Sequence, residues 1–159
     1  MLLTFFRHAT AEQHGLSKPD ADRALVEKGE KQVLRVAQFC SLHQLLPQRL
    51  LTSPLLRAQQ TAQLLRGELS GCPAPEVVDW LRLGTPVQTA GRRIESLRRE
   101  ADDVWLVGHE PDISALVAEL LGIGQFCLQV KKASLTRLQF DNGTGRWLLL
   151  WSLPCALMR

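Results

Sequence analysis

The chain has 159 residues, 45% of them hydrophobic and 22% charged, with a formal net charge of +3. That length suits one domain with an ordinary core, and the balance fits a globular protein rather than a disordered or membrane-spanning one. A net charge this small, with no concentrated basic stripe, gives no ground for a nucleic-acid partner.

The first element is the apolar run Leu2 to Phe6, whose length and bulky residues predict a strand. Polar residues do not alternate within it, so both faces are expected to be covered, as in a parallel sheet flanked by helices. Such sheets place ligands beyond the carboxyl ends of their strands, where Arg7 and His8 follow. A guanidinium offers a rigid fork to phosphate or carboxylate, and an imidazole serves as nucleophile, base or metal ligand. Residues 9–24 then read as a loop over that edge, contributing His14, Asp20, Asp22 and Arg23 as candidate site residues. Arg23 fits either a phosphate clamp or an ion pair with an aspartate.

A helix is predicted from Glu30 to Leu45, with Val33, Leu34, Ala37, Cys40 and Ser41 on one side and Pro47 ending it. Arg49 to Thr52 reads as a short strand. Ser53-Pro54 then supplies an N-cap hydroxyl and a proline for the first helical position, and Leu55, Ala58, Ala62 and Leu65 form the buried stripe. Arg57 falls near that helix start, where unpaired N–H groups already favour an anion. Glu76 to Trp80 reads as another strand, and Pro86 to Arg99 as a helix with Val87, Ala90, Ile94 and Leu97 inward. Its four arginines, 92, 93, 98 and 99, are placed on a solvated face.

Val104 to Val107 is the second clear buried strand, leading through Gly108-His109-Glu110-Pro111 into a helix that Gly122 ends. His109 thus holds the same kind of strand-end position as His8. Ala133 to Phe140 and Arg146 to Trp151 read as an antiparallel pair joined by a turn, with Trp147 and Trp151 sharing one strand face. The four cysteines are widely spaced with no Cys-x-x-Cys pair, so reduced thiols are expected, with Cys40 and Cys127 in packing roles. No stretch approaches the roughly 18 apolar residues of a bilayer span, and no leader pattern opens the chain, so a cytoplasmic location away from membranes is expected. The fold class is therefore α/β: a single-domain three-layer αβα sandwich with a mostly parallel central sheet, over residues 1–159.

Arg7, His8, Arg57 and His109, with Arg23 in reserve, suit a phosphoryl group, whose charge several guanidiniums can share. One imidazole would attack phosphorus while the other donates to its oxygens; spacing alone does not say which. The segments FFRHAT (5–10), DADRALVEKGE (20–30), LTSPLLRAQQTA (51–62), WLVGHEP (105–111), KKASLTRL (131–138) and WSLPCALM (151–158) resemble the histidine phosphatase superfamily, also called phosphoglycerate mutase-like. Within it they are most similar to the small SixA-type protein phosphohistidine phosphatase branch.

The resemblance implies His8 as nucleophile and Arg7 as its adjacent phosphate-binding arginine, with Arg57 and His109 completing the pocket and Arg23 as the extra arginine of the small branch. It also implies a covalent phosphohistidine intermediate and no required metal or cofactor. The partner it implies is a phosphohistidine-containing phosphotransfer or signalling protein, and the chain is expected to be a monomer. Two departures stand out. Ala9 follows the Arg-His pair where many relatives have glycine, and no acid after Glu76-Val77-Val78-Asp79 carries the family pattern, which leaves Glu76, Asp79 and Glu110 as unassigned candidates. An alcohol leaving group needs such an acid more than an imidazole does, so the departure favours phosphorus–nitrogen cleavage. The competing readings are a small-molecule phosphomonoesterase using the same His8 chemistry and a non-catalytic phosphate or phosphoprotein-binding module.

Overall fold

The structure is a computed structural model that describes residues 1–15, 18–124 and 127–158. Residues 16 and 17 of the loop read over 9–24 lie outside that description. Ten regular elements follow one another as β1 (Leu2–Arg7), α1 (Glu27–Leu42), β2 (Arg49–Thr52), α2 (Leu56–Glu68), β3 (Glu76–Val77), α3 (Val87–Leu97), β4 (Asp103–Gly108), α4 (Asp112–Leu121), β5 (Leu135–Asp141) and β6 (Arg146–Leu153). The six strands form one sheet in the order β3-β2-β4-β1-β5-β6. The first four are mutually parallel, and β5 and β6 are antiparallel, as the sequence leads one to expect.

Strand β1 lies between β4 and β5, and Leu3, Thr4, Phe5 and Phe6 are all buried. Its uninterrupted apolar run reflects this double cover. Phe6 joins Trp105, Val107 and Leu50 in a core closed by α1 and α2. Leu3 and Phe5 join Val104, Leu106 and Leu51 in a second core closed by α3 and α4. Successive side chains of β1 and β4 thus enter opposite layers, which makes the αβα sandwich. Each fully buried Leu or Phe in these layers contributes on the order of 2 kcal/mol. Arg137 of β5 reaches across β1 to pair with Asp103 of β4 at 2.5 Å and donates to Thr4 Oγ1 at 2.6 Å, so this buried charge is partnered.

Several boundaries differ from the sequence reading, each for a local reason. Helix α1 starts three residues before Glu30, and its buried face uses Gly29 and Val36 where Leu34 and Ser41 had been expected. No side chain caps its start, so the sequence offers no signal there. It ends at Leu42 rather than Leu45, with Gln44 at positive φ turning the chain well before Pro47. Helix α2 starts at Leu56 with Leu55 in the N-cap position, so Ser53 is freed for another task. Strand β3 is only two residues, because a single 3-10 turn takes Asp79–Leu81. Ala133, read as the first residue of β5, has φ 53° and precedes the strand.

Trp147 and Trp151 do not share a face. A bulge lets Trp151 pair with Arg137 while Leu149 pairs with Leu138, so the register advances by an extra residue between them. One added residue reverses the side-chain alternation. Trp147 accordingly packs in the α3/α4 core and Trp151 against the α1/α2 core. Arg98 is a further correction, since its guanidinium lies 3.2 Å from the centre of the Phe140 ring rather than free in solvent. Cys127 is exposed, against its expected packing role, whereas Cys40, Cys72 and Cys155 are buried and all four thiols are free. Among the described residues, no helix is long and apolar enough to cross a membrane.

Candidate active site

The parallel ladder between β1 and β4 ends on the pair Arg7 and Gly108. The next residue on each strand is a histidine. His8 and His109 are therefore neighbours, with ring centroids 5.0 Å apart and planes tilted by 53°. Strand β2 ends level with them, since the Ser53 N–H donates to Val107 O at 3.0 Å. Its Oγ lies 2.7 Å from His109 Nε2. Ser53, read from sequence as a helix cap, is thus the partner of a site histidine; its place just past a strand end was the available signal.

His8 is fixed on both sides. Its Nδ1 donates to the Ala9 carbonyl at 2.8 Å, which leaves the lone pair on Nε2. Arg57, from the first turn of α2, directs Nε at that nitrogen from 3.3 Å. The spacing between β1 and α2 is held by Thr61, whose hydroxyl accepts from Ala9 N at 3.2 Å and donates to Arg57 O at 2.7 Å. Gln32 of α1 accepts from both N and Oγ1 of Thr10 at 3.0 and 2.8 Å. Gly29 sits so close to Thr10 that a Cβ there would stand 2.0 Å from its carbonyl oxygen. These three positioning residues escape sequence reasoning, because their partners are mostly backbone atoms that carry no residue identity.

Four cationic side chains surround the imidazoles. Arg7 is half-buried and donates through Nη1 to Val130 O at 2.6 Å. Arg57 is 2% exposed. Arg23 binds Asp20 through Nε at 2.8 Å and Glu12 O through Nη1 at 2.6 Å, so of its two expected roles the structure shows the ion pair, with an aspartate that also contacts Arg57. The charges of Arg7 and Arg23 act on Lys132, whose pKa is lowered by burial first and by these cations next. His14 and Asp22 are exposed and take no part in this cluster.

Burial is the main reason both imidazoles are neutral at physiological pH. It lowers His8 to about 4, with the positive charges of Arg57, Arg7 and Lys132 adding to the shift and the Ala9 hydrogen bond opposing it. It lowers His109 to about 3, with His8 and Arg57 adding to it. In the free site the neutral His109 ring has one N–H to give. Among the described residues, the buried side-chain polar atoms without a partner are Arg7 Nε, His109 Nδ1 and Ser134 Oγ. Two of the three belong to residues expected to bind phosphate, and the Arg7 Nε–H is an unpaired buried donor of the kind that suits an incoming anion.

Two of the three unassigned acids are engaged elsewhere, and the third is held at the edge of the site. Glu76 pairs with Arg49 at 2.7 Å, and Asp79 pairs with Arg82 at 2.9 Å on the surface. Glu110 accepts from the N and Oγ of Ser114, while its charge also acts on Arg7. No group of three or more His, Cys, Asp or Glu side chains suited to a metal occurs among the described residues.

Comparison with known proteins places this arrangement in context. Residues 3–84 match the Histidine phosphatase superfamily (branch 1). An uncharacterized protein of Picosynechococcus sp. is 39% identical over 152 residues, covering 92% of this chain and 88% of its own. The fold superimposes on the protein histidine phosphatase SixA complexed with tungstate with a TM-score of 0.88, at 23% identity and full coverage of both chains. It also superimposes on a mycobacterial glucosyl-3-phosphoglycerate phosphatase with a TM-score of 0.77, at 21% identity over 94% of this chain and 96% of the other.

Proposed function

We propose, from the premise that the chain belongs to the histidine phosphatase superfamily, that it is a SixA-like enzyme that removes phosphate from a histidine side chain of a partner protein. The observation that carries this reading is the state of His8: a neutral ring, its Nδ1 proton held by Ala9 O, and its Nε2 lone pair beside Arg57. A nucleophile toward phosphorus needs that lone pair free and an electrophile held in line with it.

In the first step Nε2 of His8 attacks phosphorus. A new N–P bond forms, the N–P bond of the partner's phosphohistidine breaks, and the departing imidazole nitrogen takes a proton from solvent. In the second step water attacks phosphorus, the bond to His8 breaks and returns the electron pair to Nε2, the attacking water gives one proton back to solvent, and orthophosphate departs. Arg57 and Arg7 bear the charge that spreads over the phosphoryl oxygens as bonds exchange. His109 contributes its Nδ1–H when the Ser53 hydroxyl donates to Nε2, which makes the pair a fixed neutral donor.

The leaving group sets the substrate class. An imidazole departs from phosphorus with less assistance than an alkoxide, and Glu76, Asp79 and Glu110 are all held by other partners. This supports a phosphoramidate over an alcohol ester. The likeness in fold to a glucosyl-3-phosphoglycerate phosphatase makes the ester the competing reading. The test compares kcat/KM on a phosphorylated histidine phosphotransfer domain with kcat/KM on sugar phosphates and phosphoserine peptides, each with and without chelator. Preference for the esters overturns the substrate assignment, and loss of turnover on chelation overturns metal independence. Domain extent over 1–159, a monomeric state and a cytoplasmic location are proposed with it.

A further inference from the structure

The guanidinium of Arg57 is already committed. Its Nε faces His8, its Nη1 donates to the Asp20 carbonyl at 2.7 Å, and its Nη2 donates to Asp20 Oδ2 at 3.0 Å. Arg23 holds the other carboxylate oxygen, with Nε at 2.8 Å and Nη2 at 2.6 Å from Oδ1. The two oxygens of one carboxylate thus rest on two guanidiniums that converge beside the His8 imidazole, which is how two oxygens of a phosphoryl group would rest there. A phosphoryl group within reach of Nε2 needs the same Arg57 donors.

We infer that Asp20 is an internal anion that occupies Arg57 and Arg23 in the free site and surrenders these donors when a phosphoryl group binds. The inference rests on the proposed function, because it takes the arginine cluster as the phosphate seat. The two sides of the contact differ in how firmly they are held. Arg57 is buried on α2 and tied through its carbonyl to Thr61. Asp20 has 32% of its side chain exposed, on a single 3-10 turn (Asp20–Asp22) that contains no buried residue. The carboxylate is therefore the part that gives way. Its ionisation fits this role: burial pushes its pKa up, but the hydrogen bonds from Arg23 and Arg57 outweigh burial and leave it below the usual aspartate range.

The contact keeps a buried arginine partnered until substrate arrives and sets a threshold on the anions that can enter. A dianionic phosphoryl group, with more charge and three oxygens, displaces the carboxylate, whereas a singly charged carboxylate ligand gains nothing by exchange. Asp20 is thus a selectivity device for the seat rather than a group that touches the reacting atoms.

Isothermal titration of inorganic phosphate into the wild-type protein, Asp20→Ala and Asp20→Asn at pH 7 tests this. Asp20→Ala is expected to bind phosphate about tenfold more tightly, the effect of removing a competing charge-assisted contact that is partly screened by solvent. Asp20→Asn preserves shape and is expected to shift affinity the same way by less; it carries the test if the alanine variant does not fold. Unchanged or weaker binding in both variants, with the wild type binding phosphate, overturns the inference alone and makes Asp20 a strut for Arg57. Absence of phosphate binding in wild type and variants alike overturns the phosphate seat, and the inference with it.

Discussion

Replacing Arg57 by lysine and, separately, by alanine separates two things this side chain does. Lysine keeps a positive charge near His8 but replaces a planar fork with a single ammonium. Arg57 makes three directed contacts, to His8 Nε2 at 3.3 Å, Asp20 O at 2.7 Å and Asp20 Oδ2 at 3.0 Å, and its fork is only 2% exposed. When phosphate takes the place of the Asp20 carboxylate, lysine forfeits at least one charge-assisted hydrogen bond of about 1.5–3 kcal/mol, a loss of about 10- to 150-fold in kcat/KM. Alanine also removes the charge, and the cost rises to about 2–4 kcal/mol. The pH profile supplies the second readout. The Arg57 charge helps hold His8 near 4, so Arg57→Ala moves the acid limb of kcat/KM upward while Arg57→Lys leaves it in place. Rapid-quench single-turnover assays on a phosphorylated histidine protein, run from about pH 3.5 to 8 with correction for spontaneous hydrolysis, read both. A loss below about threefold in Arg57→Lys, or identical acid limbs in the two variants, refutes the assigned role.

Three further outcomes follow from the geometry. His8→Ala is expected to take up no label from a phosphorylated donor under acid-free quench, and a stable phosphoenzyme in that variant removes His8 as the nucleophile. Gly29→Ala drives a methyl group to 2.0 Å from Thr10 O, so it is expected to destabilise the fold by about 3 kcal/mol in urea melts and to lower turnover as the Ala9–Thr10 turn shifts; an unchanged midpoint contradicts the close approach. Stability should fall as pH drops: the folded values of about 4 for His8 and about 3 for His109 lie below the unfolded value near 6.5, so the unfolded chain binds more protons. The stabilisation is full above about 6.5 and is lost as pH falls toward 4 and then 3, a slope that His109→Asn should flatten in melts across that range.

The sequence discloses this molecule unevenly, for physical reasons. Strands β1, β2 and β4 are legible because burial on both faces demands an apolar centre, and β2 falls on the expected residues 49–52. Arg7, His8 and His109 are legible because they end or follow strands in an α/β chain, and Arg57 because it lies in the first turn of a helix that follows one; the structure brings all four together. The bulge in β6 is silent, since Leu148, Leu149 and Leu150 give no residue that marks an extra position. The start of α1 is silent too, as it begins on Val26 without a capping hydroxyl. Asp20 stood among the loop candidates, yet only the folded chain shows it bridging two arginines that are 34 residues apart in the numbering, Arg23 and Arg57.

The rung that joins Arg7 to Gly108 has a consequence for how such a pocket endures change. Because both imidazoles hang from the next residue past that rung, their 5.0 Å spacing follows the distance between hydrogen-bonded neighbours in a sheet, close to 4.8 Å. The ruler is main chain, indifferent to which side chains fill the layers above and below. Loops around the rim can lengthen, shorten or trade residues without altering that gap, whereas deleting one residue from either central strand would swing an imidazole to the opposite layer and abolish the pair at a stroke.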